Sequence, residues 1–169
     1  MYYQRPKSGT MKGMTSTERG AKNKRDKKLL VNDGRAHGVL LYDQKIPIGW
    51  CAYGLKPEFP RIDNGRNYKK LDLEDEPEKL WRITCFVVDK DYRKRGIASI
   101  ALKAALGSIK ARGGGAVEAY PVTHRSAKAW SKWPQWFWFG TESMYEREGF
   151  KVVNTLGPNH VLMRRTIKA

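Results

Sequence analysis

The tightest constraint on this chain is the transition within residues 83–113. An apolar, β-rich run, ITCFVV, passes into a basic loop, DKDYRKRG, and then into IASIALKAALGSIKARG. The first piece has the length and composition of a strand. The loop carries four cations, Lys90, Arg93, Lys94 and Arg95. In the third piece Ala98, Leu102, Ala105 and Ile109 recur at spacings of four, three and four, so they share one helical face. Gly113, Gly114 and Gly115 end that helix. At the centre stand Arg93, Lys94, Arg95, Gly96, Ile97 and Ala98. Gly96 lets the backbone turn and lets a ligand come close. The helix that starts at once presents free N–H groups and a positive dipole end. A strand, a small-residue cationic loop and a helix N-terminus together suit a diphosphate. The loop alone reads equally well as a structural turn. It contains neither the G-x-G-x-x-G of dinucleotide sites nor the Gly-Lys-Ser/Thr of phosphate loops.

With its flanks, the run from Val88 to Ala98, VDKDYRKRGIA, resembles the signature of the GNAT superfamily of N-acetyltransferases, which bind acetyl-CoA. Downstream, Met144-Tyr145-Glu146-Arg147-Glu148-Gly149-Phe150 is similar to the Leu-Tyr-Glu-Lys-Leu-Gly-Phe that ends the family's last helix. The resemblance implies an α/β (α+β) fold in one domain over residues 1–169. Its sheet would be mixed and mostly antiparallel, of about six or seven strands, with helices on both faces. It implies acetyl-CoA as co-substrate and no metal. The backbone of Phe86, Val87 and Val88 would pair with the pantetheine arm, and one of their N–H groups would polarise the thioester carbonyl. The alternative for these three is a buried strand with every bond inside the sheet. Arg93, Lys94, Arg95, Gly96, Ile97 and Ala98 would hold the pyrophosphate.

Tyr145 aligns with the tyrosine that protonates the departing thiolate in many relatives. A phenol with a pKa near about 10 keeps its proton at neutral pH; simple packing of the ring is the other reading. The Trp81–Val88 strand has no carboxylate, although some relatives carry a Glu there. Glu118 alternates with Val117 and Ala119 and so faces away from them. It would take the amine proton through water, or pair with a cation. An amine already partly neutral needs no dedicated base. His37, His124 and His160 lie in loops or at strand ends with no partner at ligand spacing and read as surface residues. Relatives often have an Asn seven residues before the tyrosine and an Ala four before it. Trp138 and Thr141 stand there instead, so the Asn contact to pantetheine does not carry over.

The chain of 169 residues is 40% hydrophobic and 30% charged, which fits one globular domain. No stretch has the length of a membrane span, and no apolar leader opens the chain. Cys51 and Cys85 lie in strand-like runs without metal-ligand spacing and read as reduced, buried thiols. Together these features lead to the expectation of a cytoplasmic protein. The net charge is +16; nine cations and two anions in the first 28 residues supply +7 of it, leaving +9 for the rest. Such a field attracts any polyanion, CoA or nucleic acid. A basic RNA-associated module, or a CoA-fold protein without chemistry, therefore competes with the enzyme. Nucleic acid is open but not favoured as a partner, and a homodimer is compatible with the sequence.

The residues around the centre complete the pattern. Residues 1–6 look like the end of an opening strand, so the chain would start late within it. Ser16 or Thr17 would cap a helix reaching about Val31, with Leu29, Leu30 and Val31 as its apolar content. Residues 38–42 and 46–54 read as a hairpin, and residues 56–79 as a long polar connection. A strand at 116–122 leads to an insert, 123–139. Thr141 would cap a short helix ending at Gly149, and two closing strands follow around Gly157-Pro158-Asn159. The insert holds Trp130, Trp133, Trp136, Phe137, Trp138 and Phe139, interleaved with His124, Arg125, Lys128 and Lys132. It reads as a hydrophobic cluster under a loop, as a wall over an acceptor, or as a stacking platform for single-stranded nucleic acid. The favoured activity is acetyl transfer from acetyl-CoA to an amine by direct attack in a ternary complex. The acceptor has no motif; the cations lean toward one with an apolar or anionic part near its amine.

Overall fold

The computed structural model describes residues 4, 11–71, 73, 77–129 and 137–169. The expected opening strand, and with it Trp130, Trp133 and Trp136 of the insert, lies outside the described residues. Strands β1 (His37–Asp43), β2 (Ile46–Leu55), β3 (Leu80–Val88), β4 (Gly115–Ala119), β5 (Lys151–Thr155) and β6 (Val161–Ile167) form one sheet in the order β1-β2-β3-β4-β6-β5. Every pairing is antiparallel except β3 with β4. A parallel pair needs a crossover, and helix α3 (Ile97–Ala111) supplies it. The fold is thus the mixed, mostly antiparallel sheet with flanking helices that the sequence implied.

Two apolar clusters divide the sheet's faces. On one, α3 buries Ala101, Leu102, Ala105, Leu106 and Ile109 against Cys51, Tyr53, Trp81, Ile83 and Val117. Met144 and Tyr145 of α5 (Glu142–Glu146) join the same cluster. The smaller cluster on the opposite face holds Phe59, Ile62, Tyr120 and Leu162, with Tyr68, Phe139 and Leu156 against it. Ile62 comes from α2 (Pro60–Asp63) within the long connection. Helix α1 (Ser16–Asn32) lies on this second face, where Lys27 Nζ sits 5.6 Å from the centre of the Trp50 ring.

Two expectations for α1 need correction. Its cap is Thr15, not Ser16 or Thr17: Glu18 N–H donates to Thr15 Oγ1 at 3.3 Å, and Thr15 N–H donates to Glu18 Oε2 at 2.7 Å. This reciprocal pair satisfies two groups that a helix end leaves open. Its apolar residues are not payload either, since Leu29 and Val31 remain 58% and 52% exposed.

β3 and β4 are paired only from Leu80↔Ala116 to Ile83↔Ala119. Just beyond, the β2–β3 register slips, with Ala52 opposite Cys85 but Tyr53 opposite Ile83. Thr84 is therefore an extra residue in β3, a bulge that turns the strand. β3 continues beside β2 as far as Val88, while the chain after β4 bridges from Val122 to Thr141 and His160. The sheet splits there.

A row of charges ties the strands immediately below the split. Arg82 and Glu118 are register partners across β3 and β4, and Glu118 and Arg164 across β4 and β6. Arg82 and Glu118 have no solvent exposure. Glu118 accepts from Arg82 Nε at 3.4 Å, from Arg164 Nη2 at 2.7 Å and Nε at 3.0 Å, and from the hydroxyls of Tyr68 at 3.0 Å and Tyr120 at 2.8 Å. Arg82 also forks onto Asp63, Nη2 to Oδ1 at 2.6 Å and Nη1 to Oδ2 at 3.0 Å. Breaking a buried ion pair by neutralising one partner costs about 3–5 kcal/mol. Glu118→Gln keeps the shape and removes the charge, and Asp63 still serves Arg82, so a loss near about 3 kcal/mol is expected. A urea unfolding midpoint unchanged from the parent protein would contradict this.

Candidate active site

The loop between β3 and α3 has the geometry of an anion cradle. Asp89 N–H donates to Ile48 O at 2.9 Å, holding the end of β3 to β2. The chain then makes a 3-10 turn over Lys90–Tyr92, capped by the Asp89 carboxylate. Tyr92 donates to Asp43 at 2.7 Å and carries the Arg95 guanidinium 5.4 Å above its ring. Lys94 and Gly96 have positive φ, 61° and 77°. Gly96 is the residue before α3, and no side chain caps the helix. A Cβ built on Gly96 would meet nothing within 4 Å. The glycine is therefore required by backbone conformation and not by packing, and the space above it is open. The first-turn N–H groups of α3 have no partner within the helix. Arg93, Lys94 and Arg95 are exposed around them; Arg93 also reaches back, Nε to Val88 O at 3.3 Å.

The split supplies a second feature. Since Asp89 N–H points to β2, antiparallel alternation directs the N–H of Val87 there too and those of Phe86 and Val88 the other way. On that side residues 138–141 span the gap. Phe86 N–H donates to Trp138 O at 2.7 Å, Val122 N–H to Gly140 O at 3.1 Å, and Glu142 N–H to Val122 O at 3.0 Å. Gly140, at φ 76°, faces the Tyr145 and Phe86 rings so closely that a Cβ would lie 3.2 Å and 3.5 Å from them. Below it Tyr145 is fully buried, edge-on to Phe86 at 6.3 Å and to Phe150 at 5.1 Å between centroids. Its hydroxyl has no hydrogen-bond partner. Burial pushes its pKa well above the ordinary phenol value, so it holds its proton. A buried hydroxyl left unpaired costs about 1–3 kcal/mol; a bound ligand's acceptor atom would remove that cost.

Glu118 lies elsewhere, within the charge row on the opposite face. Of its two expected roles, the geometry displays pairing with a cation, here two. The tyrosines beside it are affected in turn. Burial and the Glu118 carboxylate push Tyr68 up to about 12, and burial pushes Tyr120 well above its ordinary value. Burial pulls the Arg82 guanidinium down, but the bond to Asp63 together with the surrounding Tyr120, Tyr68 and Asp63 groups outweighs it and keeps Arg82 charged.

Of the three histidines His124 is exposed, while His37 and His160 are half-buried, and each has a hydrogen-bonding partner. His37 Nδ1 lies 3.1 Å from Glu58 Oε2, with side chains only 16% and 11% exposed. His124 Nε2 lies 3.1 Å from Glu146, whose carboxylate raises the imidazole's pKa. His124, Glu142 and Glu146 offer three potential metal-donor atoms within 4.8 Å of one another, an arrangement their mutual contacts already explain. His160 Nδ1 lies 3.0 Å from Tyr120 O. Sequence reasoning also passed over Arg82. An arginine inside an apolar strand demands a buried partner, and that signal was available.

A sequence profile described as the acetyltransferase (GNAT) family matches residues 10–150. A solved structure assigned to the GNAT acetyltransferases of Desulfovibrio desulfuricans is similar, at TM-score 0.54 and 14% identity over 93% of this chain and 86% of that one. So is a ribosomal-protein-alanine N-acetyltransferase from Brucella melitensis, at TM-score 0.52 and 13% identity over 87% and 78%. At such identities these likenesses show the fold. No curated protein matches the sequence. No helix among the described residues is long and apolar enough to cross a membrane. With the profile covering most of the chain, and a split sheet and open basic turn where its motifs fall, this protein belongs to the GNAT family of N-acetyltransferases.

Proposed function

We propose that the chain moves an acetyl group from acetyl-CoA to an amine by direct attack in a ternary complex. The observation that carries this is the Gly96 turn: exposed cations and free helix N–H groups surround open space at the end of a split strand. Arg93, Lys94, Arg95 and the N–H groups at Gly96, Ile97 and Ala98 hold the pyrophosphate. The β3 edge at Phe86 and Val88 receives the pantetheine arm, and Phe86 N–H polarises the thioester carbonyl. Val87 supports this edge through its bonds to β2. The neutral amine nitrogen bonds to the carbonyl carbon, the carbon–sulfur bond breaks, Tyr145 gives the thiolate its proton, and the proton the nitrogen sheds returns to the tyrosine through solvent. Glu118 holds the strands and does not act as the base.

Three expected outcomes follow from these assignments. Gly96→Asp sets a carboxylate against the diphosphate in a strained conformation. Calorimetry should show acetyl-CoA affinity at least about tenfold weaker, a change of about 1.4 kcal/mol; unchanged affinity in a folded variant excludes this site.

Tyr145→Phe keeps the ring and deletes the proton donor. Acid–base groups are worth about 10²–10⁴ in rate; we expect kcat to fall by about ten- to a thousandfold with acetyl-CoA affinity nearly constant. Full activity would leave Tyr145 a packing residue.

Bound thioester also has to replace Trp138 O on Phe86 N–H. The Phe86 amide resonance should therefore shift on titration with acetyl-CoA. An amide that stays put while acetyl-CoA binds elsewhere rules out the strand-edge position.

A further inference from the structure

The second face carries a feature the activity does not yet use. An open cleft of about 470 Å³ lies there, lined among others by Arg61, Arg66, Tyr68, Tyr120, Phe139 and His160. Its size is that of a small-molecule site, within the range of about 300–1,000 Å³. Its walls are aromatic: Tyr120 stands edge-on to Phe139 at 6.0 Å, and Phe139 to His160 at 5.7 Å. The Tyr68 and Tyr120 hydroxyls donate inward to Glu118, so the surface they leave for the cleft is ring. Glu118 itself is buried between two arginines and offers no free charge. No carboxylate is among the described lining residues, and two are arginines. That balance favours an anion and disfavours a polyamine or a lysine-rich peptide.

His160 adds a proton acceptor. The Tyr120 carbonyl can only accept, so Nδ1 carries the hydrogen in their 3.0 Å bond. A neutral imidazole held this way has its lone pair on Nε2. The cleft also adjoins the reaction centre. Phe139 belongs to the same short segment whose Trp138 carbonyl holds Phe86 N–H. Val122 bridges to Thr141 on one side and to His160 on the other. Two strand spacings of about 4.8 Å therefore separate the His160 and Thr141 backbones.

We infer that this cleft receives the acceptor: a small amine on an aromatic or apolar frame that bears a carboxylate, its ammonium proton passing to His160 Nε2. The inference rests on the acetyl-transfer reading. The ammonium gives one proton to Nε2, forming imidazolium, and the freed lone pair makes the nitrogen–carbon bond. The sulfur leaves with its electron pair and takes the Tyr145 proton; the second proton, shed by the nitrogen as it becomes the amide, returns to the tyrosine through solvent, and the imidazolium releases its own proton to solvent. Arg66 binds the carboxylate at the rim, and Phe139 with Tyr120 flanks the frame.

The test offers para-aminomethylbenzoate, benzylamine and spermidine to the full chain with acetyl-CoA, following free-thiol release and product mass. The benzoate should exceed benzylamine at least tenfold in kcat/KM, with spermidine the poorest. Arg66→Ala should erase most of that difference through KM. In His160→Asn the amide can still donate to Tyr120 O but offers no ring lone pair, so kcat should fall at least tenfold while KM and acetyl-CoA affinity hold. Equal use of the two aromatic amines, or preference for spermidine, overturns the anionic cleft. An unchanged kcat in His160→Asn overturns the proton acceptor. Failure to bind acetyl-CoA defeats the earlier proposal instead. The cleft is then judged by titrating the benzoate alone against the aromatic ring resonances, where silence overturns it.

Discussion

A buried guanidinium needs partners on every side, and the way this chain satisfies Arg82 governs much else. Desolvating such a pair costs as much as its attraction returns, so it is weak evidence of net stability. Its consequence is geometric. Arg82, Glu118 and Arg164 are in register across three strands. A slip of one residue would turn Glu118 onto the α3 face and take its carboxylate away from both arginines. The row thus fixes the only parallel pairing among the described strands, one residue short of where it ends. Asp63 draws the long connection onto the same guanidinium. Tyr68 comes with it, its ring 5.1 Å from the Arg82 guanidinium carbon. One set of contacts therefore locates both the opening between β3 and β4 and the floor of the cleft on the second face.

What could be read from the sequence was local. The strand, basic loop and helix around Gly96 declare themselves because alternation, glycine and a period of 3.6 act within a few residues. The hairpin and closing strand pair are legible for the same reason, as is the short helix after Thr141. Even the Thr15 cap was visible in retrospect, since Thr15-Ser16-Thr17-Glu18 spells a capping box. The exposure of Leu29 and Val31 was not. It depends on what the sheet offers α1, and that sheet face already carries Trp50, Phe59, Ile62 and Tyr68.

The rest needed long-range information. Glu118 is one carboxylate in an alternating strand, and only its neighbours across β3 and β6 show whether it is a base or an anchor. Those neighbours lie 36 and 46 residues away. Likewise His160 and Tyr120 meet because the chain runs on past the end of β4 and picks up the β5–β6 loop. Residues 56–79 showed no period because their described part forms short turns at 56–58, 60–63 and 68–70, and it contributes a few anchoring side chains, Phe59, Ile62, Asp63 and Tyr68.

A split sheet solves a particular problem. Backbone N–H groups in a sheet interior are already bonded, and an exposed edge invites any strand to add itself. Parting two central strands exposes a few donors deep inside the molecule, reachable from one direction. Such donors cannot be left empty, since an unpaired buried N–H costs about 1–3 kcal/mol. Here Trp138 O meets that demand at Phe86. A ligand carbonyl that replaces it exchanges one amide-type bond for another, so the exchange itself is nearly free. On the proposed reading the preference comes from elsewhere: from an anion at the Gly96 turn and from a partner for the lone Tyr145 hydroxyl. Residues 138–140 touch Phe86, Tyr145 and the second-face cleft together. A ligand that displaces this segment from one side therefore alters the cleft on the other, which would give the two proposed sites a physical route to sense each other.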